Sequence, residues 1–240
     1  MISFHPGYFG WLGNQMFQYA ATFGLAKRVG TEAGFPQNDP NLFEIFNLTA
    51  TKDGLAPFLL EEVAFHYIPL PTTHKDLLLR GYFQSEKYFE DCKEEIKKEF
   101  SFKYPVDDKI DPYTTSIHVR RGDYVDLPEY HPLCTIDYYE KGMSLSPDQK
   151  FLVFSDDIDW CKNNLKGDEI LYSEGHTPEE DLQLMTMCDN HIIANSSFSW
   201  WGAWLGHNKK KRVFAPRKWV GVKYSHMSDA DRIPSNWEIL

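Results

Sequence analysis

Two adjacent arginines follow an apolar segment in the sequence IHVRRGD, residues 117–123. The apolar residues before them predict a buried strand, and open α/β sheets bind ligands at the carboxyl ends of such strands. A guanidinium group matches the shape of a phosphate and can neutralise a leaving diphosphate in place of a metal. The alternative is a structural ion pair in which Asp123 holds one arginine. We favour a phosphate site formed by Arg120 and Arg121, because a surface ion pair contributes little to stability.

Aspartates follow a second apolar strand in the sequence FSDDID, residues 154–159. Asp156 and Asp157 could accept hydrogen bonds from a ribose or from a guanine base. Asp157 and Asp159 also match the D-x-D pattern of a divalent cation site, since such ions prefer carboxylate ligands. A third interpretation is that Asp156 or Asp157 caps the helix that follows. The sequence leaves these three interpretations open.

A third polar segment, ANSSFSWWGAW, residues 194–204, joins a predicted strand to a predicted helix. The hydroxyls of Ser196 and Ser197 and the amides after them could bind an anion at the helix N-terminus. Serine is also an ordinary cap residue, and the three tryptophans could fill the core. Asp181 opens the preceding predicted helix, where an acidic residue suits the helix dipole with or without a ligand.

A glycine-rich turn near the N-terminus, GYFGWLGNQ, residues 7–15, precedes another predicted helix. Gly10 and Gly13 would let backbone N–H groups approach an anion there. The turn lacks the G-x-G-x-x-G order of a dinucleotide site and the lysine of a P-loop, so by itself it is weak evidence. The polar clusters after separate strands are stronger evidence, because helix caps formed by chance need not share one edge of a sheet.

The elements that position these residues fall into two groups. The first group has strands at 2–4 and 77–83 and helices at 14–29 and 85–100. The segment 103–112 follows, and its two prolines and three aspartates make it the best candidate linker. After it, strands at 115–119, 151–154, 169–172 and 191–194 alternate with helices at 136–143, 158–164, 178–188 and 199–206. This alternation predicts a parallel Rossmann-like sheet, with domains at residues 1–108 and 109–240.

The composition narrows the choice of partners. The formal net charge of -10 argues against binding to nucleic acid or to an anionic membrane. The chain has no apolar stretch long enough to cross a bilayer and does not open on a basic region followed by a long apolar one, so we expect a cytoplasmic location. The aromatic fraction of 15%, with seven tryptophans, is typical either of carbohydrate recognition or of a Trp-rich core.

Seven motifs together resemble the alpha-1,2-fucosyltransferase family: GWLGNQMFQYA, GYFQSEKYF, HVRRGDY, YYEKG, FSDD, DLQLM and ANSSFSWWGAWL. They occur in that family's order from residue 7 to about residue 205. The resemblance implies an α/β fold of GT-B type, in which two Rossmann-like domains face a central cleft and the C-terminal one holds most of GDP-fucose. It also implies an inverting transfer of fucose without a metal ion and without any cofactor besides the donor.

The resemblance assigns roles by position. Arg120 matches the arginine that grips the β-phosphate of the donor, and Arg121 supports it. Asn14 matches a loop asparagine that faces the donor across the cleft, next to Gly13 in the glycine-rich turn. The general base could be Asp123, Asp126 or Glu129, which follow the arginine motif, and Asp123 is the one whose position the resemblance fixes. The remaining matches are to residues near the nucleotide, namely His118, Asp156, Asp157, Asp181, Ser196 and Ser197.

We therefore expect a GDP-sugar donor and a glycan acceptor such as a lipopolysaccharide or capsule precursor, with no metal, no nucleic acid and no integral membrane segment. Trp11 departs from the small or basic residue expected in its loop, and the chain is short for the family, so the acceptor is less defined than the donor. Two alternatives remain. One is a metal-dependent transferase of another nucleotide sugar that uses Asp157 and Asp159, and the other is a non-catalytic, Trp-rich carbohydrate-binding protein.

Overall fold

The computed structural model of the chain describes residues 1–7, 10–35, 42–51, 53–148 and 150–240. Within these residues the chain forms two compact units, each built on a parallel sheet. Unit 1 comprises Met1–Tyr104 and Met227–Pro234, and unit 2 comprises Pro105–His226 and Ser235–Leu240. The predicted α/β class is confirmed. In the part of the chain described, no helix is both long enough and apolar enough to span a membrane.

Unit 2 begins at Pro105, a few residues before the predicted boundary at 108/109. Val106 and Ile110, from the predicted linker, pack against the apolar cluster of unit 2 that contains Phe154. Packing of these side chains removes apolar surface from water, so the segment belongs to unit 2 rather than to a free linker.

The segment Met227–Pro234 belongs to unit 1, which the sequence analysis did not anticipate. Asp231 holds it there, because its carboxylate pairs with the Lys87 ammonium group and accepts a hydrogen bond from the Tyr67 N–H at 3.1 Å. The carbonyl oxygen of Asp231 also accepts from the Ser85 hydroxyl at 2.8 Å. These contacts join residues more than 140 positions apart in the chain, so no local pattern could reveal them.

The sheet of unit 1 has four parallel strands in the order β2-β1-β4-β3. In chain order its elements are β1 (Ile2–Phe4), α1 (Leu12–Val29), β2 (Ala33–Gly34), α2 (Leu42–Ile45), β3 (Phe58–Glu61), β4 (Leu77–Arg80) and α3 (Lys93–Glu99). The long, largely buried helix α1 packs against β1 and ends at Gly30. Gly30 has a φ of 66°, a left-handed conformation that glycine adopts without strain.

The structure corrects two predicted elements of unit 1. The strand predicted at 77–83 ends at Arg80, because the backbone N–H groups of Tyr82 and Phe83 donate to the Glu62 carboxylate instead of pairing in the sheet. The helix predicted at 85–100 is instead two short 3₁₀ turns followed by α3. The side chain of Phe89 is fully buried where the turns meet, and its backbone leaves the helical region.

The sheet of unit 2 has six parallel strands in the order β10-β9-β8-β5-β6-β7. In chain order its elements are β5 (Thr114–Val119), α4 (Ile136–Leu145), β6 (Lys150–Ser155), α5 (Ile158–Asn164), β7 (Ile170–Tyr172), α6 (Pro178–Met187), β8 (Asn190–Ile192), α7 (Ser197–Leu205), β9 (Val213–Ala215) and β10 (Glu238–Ile239). All four strands predicted between 115 and 194 occur in this sheet, and β9 and β10 extend it. Every residue of β5 is buried, so the ends of the neighbouring strands β5 and β6 are fixed by packing on both sides of the sheet.

Candidate functional site

The arginine and aspartate motifs meet at one edge of the unit 2 sheet. Strands β5 and β6 are parallel neighbours, and Val119 stands opposite Ser155 in their register. The chain leaves both strands at this level, so residues 120–123 and 156–157 lie side by side. The strand-end position predicted for the two motifs is therefore the one that the sheet produces.

Arg120 is held between two carboxylates. Its Nη1 atom lies 2.7 Å from Asp156 Oδ2, and its Nη2 atom donates a hydrogen bond to Asp123 Oδ1. The guanidinium carbon lies 5.2 Å from the centroid of the Tyr124 ring, which is within cation–π range. About a quarter of the side chain remains exposed, so a ligand can reach the group.

Asp156 ties together the two strand ends. Its Oδ2 pairs with Arg120, and its Oδ1 accepts a hydrogen bond from the backbone N–H of Arg121 at 2.9 Å. Gly122 makes this approach possible, because a β-carbon at that position would lie 2.4 Å from Asp156 Oδ2. The contact of Asp156 with a nucleotide stays a prediction, and the bonds of this carboxylate in the structure are to the arginine motif.

Arg121 has its own aspartate. Its Nε donates to Asp157 Oδ2 at 2.9 Å, and its guanidinium carbon lies 4.1 Å from the Trp160 ring centroid. Asp157 also caps α5, because its Oδ1 accepts from the Trp160 N–H at 3.1 Å. The hydrogen bond with Arg121 is the main cause that lowers the pKa of Asp157. Both oxygens of this carboxylate are thus engaged by the protein.

His118 is a buried neutral group next to the arginines. Its side chain lies beside Phe198, with ring centroids 5.5 Å apart, and Nδ1 has no hydrogen-bond partner among the residues that the structure describes. Burial, and then the positive charge of Arg120, lower the pKa of His118 from its usual 6.5 to about 3. The imidazole is therefore uncharged at any pH near neutrality, and it can exchange one hydrogen bond with a ligand without adding charge.

Asp181 belongs to a separate cluster at the start of α6. It accepts a hydrogen bond from the Ser173 hydroxyl at 2.5 Å, and the same hydroxyl lies 3.0 Å from His176 Nδ1. Burial is the main cause that raises the pKa of Asp181. Ser173 directly follows β7, so this cluster lies at the carboxyl end of another strand of the sheet.

The serine motif follows β8, and its most connected residue is Asn195, which the sequence analysis did not single out. Its Nδ2 donates to the carbonyls of Pro132 and Trp219, at 2.9 and 3.1 Å. The backbone carbonyl oxygen of Asn195 accepts from the Tyr124 hydroxyl at 3.2 Å, which connects this loop to the ring beside Arg120. The signal that could have found Asn195 is its position, because a buried amide at a strand end must find partners.

Ser196 and Ser197 begin α7. Ser196 is the N-cap residue, but its hydroxyl makes no capping hydrogen bond, and its side chain is largely buried. Trp200 and Trp201 of the same motif are fully buried, so the core interpretation holds for them. The contact of either serine with a diphosphate stays a prediction.

In the described part of the glycine-rich turn of unit 1, Asn14 contacts both Gly10 and a residue from another segment. Its Oδ1 accepts from Gln84 Nε2 at 2.5 Å, which links the turn to the GYFQ motif after β4. Gly10 adopts a φ of 75°, and a β-carbon there would lie 1.9 Å from Asn14 Nδ2. Gly13 is buried in the first turn of α1. Gln84, like Asn195, is a candidate site residue that was not predicted from the sequence.

In the candidate cation site at Asp157 and Asp159, the Asp157 carboxylate is already engaged. It accepts hydrogen bonds from the Arg121 side chain and from the Trp160 backbone N–H. Across the described ranges, no group of three or more His, Cys, Asp or Glu side chains is arranged to hold a metal ion.

Comparisons with known proteins agree with the motifs. Residues 58–238 match the model of the family described as "Glycosyl transferase family 11". The chain is 30% identical to an alpha-1,2-colitosyltransferase of Escherichia coli, covering 95% of each chain. It is 31% identical to the O-antigen biosynthesis glycosyltransferase WbnK of Escherichia coli, over 88% of this chain and 92% of that one. It is 28% identical to galactoside alpha-(1,2)-fucosyltransferase 2 of Oryctolagus cuniculus, over 82% and 65%.

A solved structure extends the comparison to the fold. The chain is similar to NodZ alpha-1,6-fucosyltransferase soaked with GDP-fucose, with a TM-score of 0.50 over 81% of this chain and 89% of that one. The sequence identity is 11%, so this likeness bears on the fold alone. It confirms the GT-B-type fold that the sequence resemblance implied.

Replacing His118 by glutamine should make the stability of the protein less dependent on pH. The pKa of His118 is about 3 in the folded state and its usual 6.5 in the unfolded chain, so the unfolded state binds more protons below pH 6.5. The contribution of neutral His118 to the free energy of unfolding is full above pH 6.5 and is lost as the pH falls towards 3. Denaturant unfolding at several pH values around 5 should show a slope smaller than that of the wild type by about 1.4 kcal/mol per pH unit.

His191 provides a matched variant, because its pKa is also lowered to about 3, mainly by burial, in the core of unit 2. His191→Gln should reduce the slope by a similar amount. If His118→Gln left the slope unchanged while His191→Gln reduced it, His118 would be open to protonation in the folded protein, and the neutral assignment would be wrong.

Proposed function

Because the chain belongs to glycosyl transferase family 11, we propose that it transfers fucose from GDP-β-L-fucose to a hydroxyl group of a glycan acceptor. The observation that carries this proposal is the pair of arginines at the end of β5, each held in place by its own aspartate. Two positioned cations next to a neutral imidazole form a site that suits a nucleoside diphosphate leaving group.

The proposed reaction inverts the anomeric carbon. The acceptor oxygen forms a bond to C1 of fucose while the bond from C1 to the β-phosphate oxygen breaks, and the electron pair leaves with GDP. Negative charge grows on the diphosphate in the transition state, where Arg120 can stabilise it without rearrangement. The acceptor hydroxyl loses its proton to a base, and we assign Asp123 to that task because half of its side chain is exposed, so that its carboxylate can reach an acceptor once the diphosphate has displaced it from Arg120.

A guanine nucleotide fits the polar side chains along this sheet edge. Asp181, at the start of α6, offers a carboxylate that can accept hydrogen bonds from guanine or from a ribose. The serines that begin α7 present backbone N–H groups at a helix N-terminus, where anions are favoured. Neutral His118 completes the surroundings of Arg120 without repelling it further.

The acceptor is proposed from the relatives. One acts in O-antigen biosynthesis, and another is named for alpha-1,2 transfer to galactosides. We propose the 2-hydroxyl of a galactose residue in a lipopolysaccharide or capsule precursor. Colitose is fucose without its 3-hydroxyl group. Because one relative is an alpha-1,2-colitosyltransferase, GDP-colitose is the competing donor to include in any assay.

We also propose that the transfer needs no metal ion and no cofactor besides the donor. The physical reason is that guanidinium groups can supply the charge that a cation would otherwise place on the diphosphate. A transferase that relied on a D-x-D cation would need the oxygens of Asp157, which Arg121 and Trp160 already engage.

GDP is expected to raise the melting temperature of the protein, whereas UDP is not. Binding to the folded state alone contributes about 2.7 kcal/mol at a hundredfold excess of ligand over Kd. Thermal unfolding with each nucleotide measures the specificity for the base. Hydrolysis and transfer assays with GDP-fucose, GDP-colitose, GDP-mannose and UDP-galactose then measure the specificity for the donor.

Activity with GDP-fucose should persist in EDTA. Equal shifts with GDP and UDP would remove the guanine assignment, and loss of activity in EDTA would restore the metal-dependent alternative.

Changing Arg120 to lysine should lower transfer from GDP-fucose by about 10²-fold or more, the usual cost of removing a preorganised donor at developing charge. The charge remains, but lysine lacks the planar fork that makes paired contacts with a phosphate. The melting temperature should change little, because ion pairs of partly exposed side chains contribute little to stability.

Arg212 supplies the matched control. Its Nε and Nη2 pair with the two oxygens of Glu238, at 2.7 and 2.8 Å, so it is a forked arginine in the same unit without a proposed ligand. Arg212→Lys should leave transfer close to that of the wild type. Near-normal turnover in Arg120→Lys would mean that Arg120 is not the phosphate clamp.

A further inference from the structure

The two carboxylates that hold Arg120 differ in how firmly they are built into the protein. We propose that Asp156 is a permanent anchor of Arg120, whereas Asp123 is a place-holder whose position the donor's diphosphate takes. This inference rests on the proposed function, because it concerns how the same arginine receives GDP. It also gives Asp156 a positioning role in place of the nucleotide contact predicted from the sequence.

Asp156 has the contacts of an anchor. One oxygen pairs with Arg120 Nη1 at 2.7 Å, and the other accepts from the Arg121 backbone N–H at 2.9 Å. Its carboxylate therefore fixes both the side chain and the main chain of the arginine motif. Gly122 leaves only the space that this carboxylate fills, and any other residue there would push against it.

Asp123 has the contacts of a removable partner. Among the described residues its carboxylate bonds only to Arg120, three positions earlier in the chain. Half of its side chain is exposed, and it lies on a single 3₁₀ turn, Gly122–Val125. An exposed pair of this kind is worth little free energy, so an arriving anion can displace it.

The geometry of the guanidinium group places Asp123 in competition with a bound phosphate. Nη1 is committed to Asp156, and the ring of Tyr124 lies 5.2 Å from the guanidinium carbon. The edge that remains for a paired contact with a phosphate includes Nη2, which Asp123 occupies. A diphosphate that approaches this edge meets the like charge of the Asp123 carboxylate, so the two compete for Arg120 and the diphosphate is expected to displace Asp123.

The two roles predict opposite effects from the same chemical change. Asp123→Asn and Asp156→Asn each remove one negative charge close to Arg120, so each relieves the same kind of repulsion towards a diphosphate. Asp123→Asn has no further consequence for GDP, because the released residue makes no contact that the bound state needs. Asp156→Asn also loosens the arginine motif, because the one acceptor oxygen left can serve the Arg120 side chain or the Arg121 backbone but not both, and this outweighs the relief.

The experiment measures Kd for GDP and for guanosine by calorimetry with the wild type and both variants at one salt concentration. Asp123→Asn should bind GDP about threefold more tightly, the scale of an exposed ion pair. Asp156→Asn should bind GDP about tenfold more weakly, since an asparagine keeps one acceptor oxygen and so loses one of the two contacts that position the motif, together with the charge that pairs with Arg120. The affinity for guanosine, which lacks the phosphates, should be the same in all three proteins.

Several outcomes would overturn the proposal. If both variants bound GDP more tightly, charge alone would matter, and if both bound it more weakly, Asp123 would be an anchor as well. If Asp156→Asn lost affinity for guanosine, Asp156 would contact the nucleoside. Gly122→Ala provides a second route should Asp156→Asn not fold, because its β-carbon displaces the same carboxylate, and it should weaken GDP binding alone. A wild type that does not bind GDP would refute the proposed function instead.

Discussion

The carboxylate of Asp156 bonds at once to the Arg120 side chain and to the Arg121 backbone, and the rest of the candidate site depends on this double contact. Two adjacent arginines repel each other, and each here is stabilised by a different aspartate from the next strand end. Because the sheet fixes the register of β5 and β6, the cations are oriented before any ligand arrives. Such preorganisation is what makes a charged group effective in a transition state.

The surroundings of this pair explain how the fold supports it. Strand β5 is buried along its whole length, so packing fixes the position of its last residues. His118 stays neutral beside Arg120, which avoids a third positive charge in the same place. The Asn195 side-chain amide connects the loop after β8 to two other loops, and its backbone carbonyl oxygen accepts from the hydroxyl of Tyr124, whose ring lies beside Arg120. Packing, burial and hydrogen bonding therefore all help to hold the Arg120 guanidinium group in place.

The strand-end position of the arginine motif was predictable, because an apolar run followed by charged residues is a local signal. The partners of the charged residues were not, since an aspartate after a strand can cap a helix, hold an arginine or bind a ligand. Asp157 does the first two in the structure. The placement of Met227–Pro234 in unit 1 depends on contacts of Asp231 with Lys87 and Ser85, which have no signature in nearby sequence. Non-local pairing is the part that patterns of residues do not encode.

We propose that Arg120 binds the diphosphate of a guanine nucleotide at the end of β5. The most direct measurement is a crystal structure of the protein with GDP bound. We expect β-phosphate oxygens within about 3 Å of the Arg120 guanidinium nitrogens, the usual length of a charge-assisted hydrogen bond, with Asp156 still paired to that arginine. A complex in which GDP is well ordered while Arg120 keeps both aspartates and touches no phosphate would contradict it.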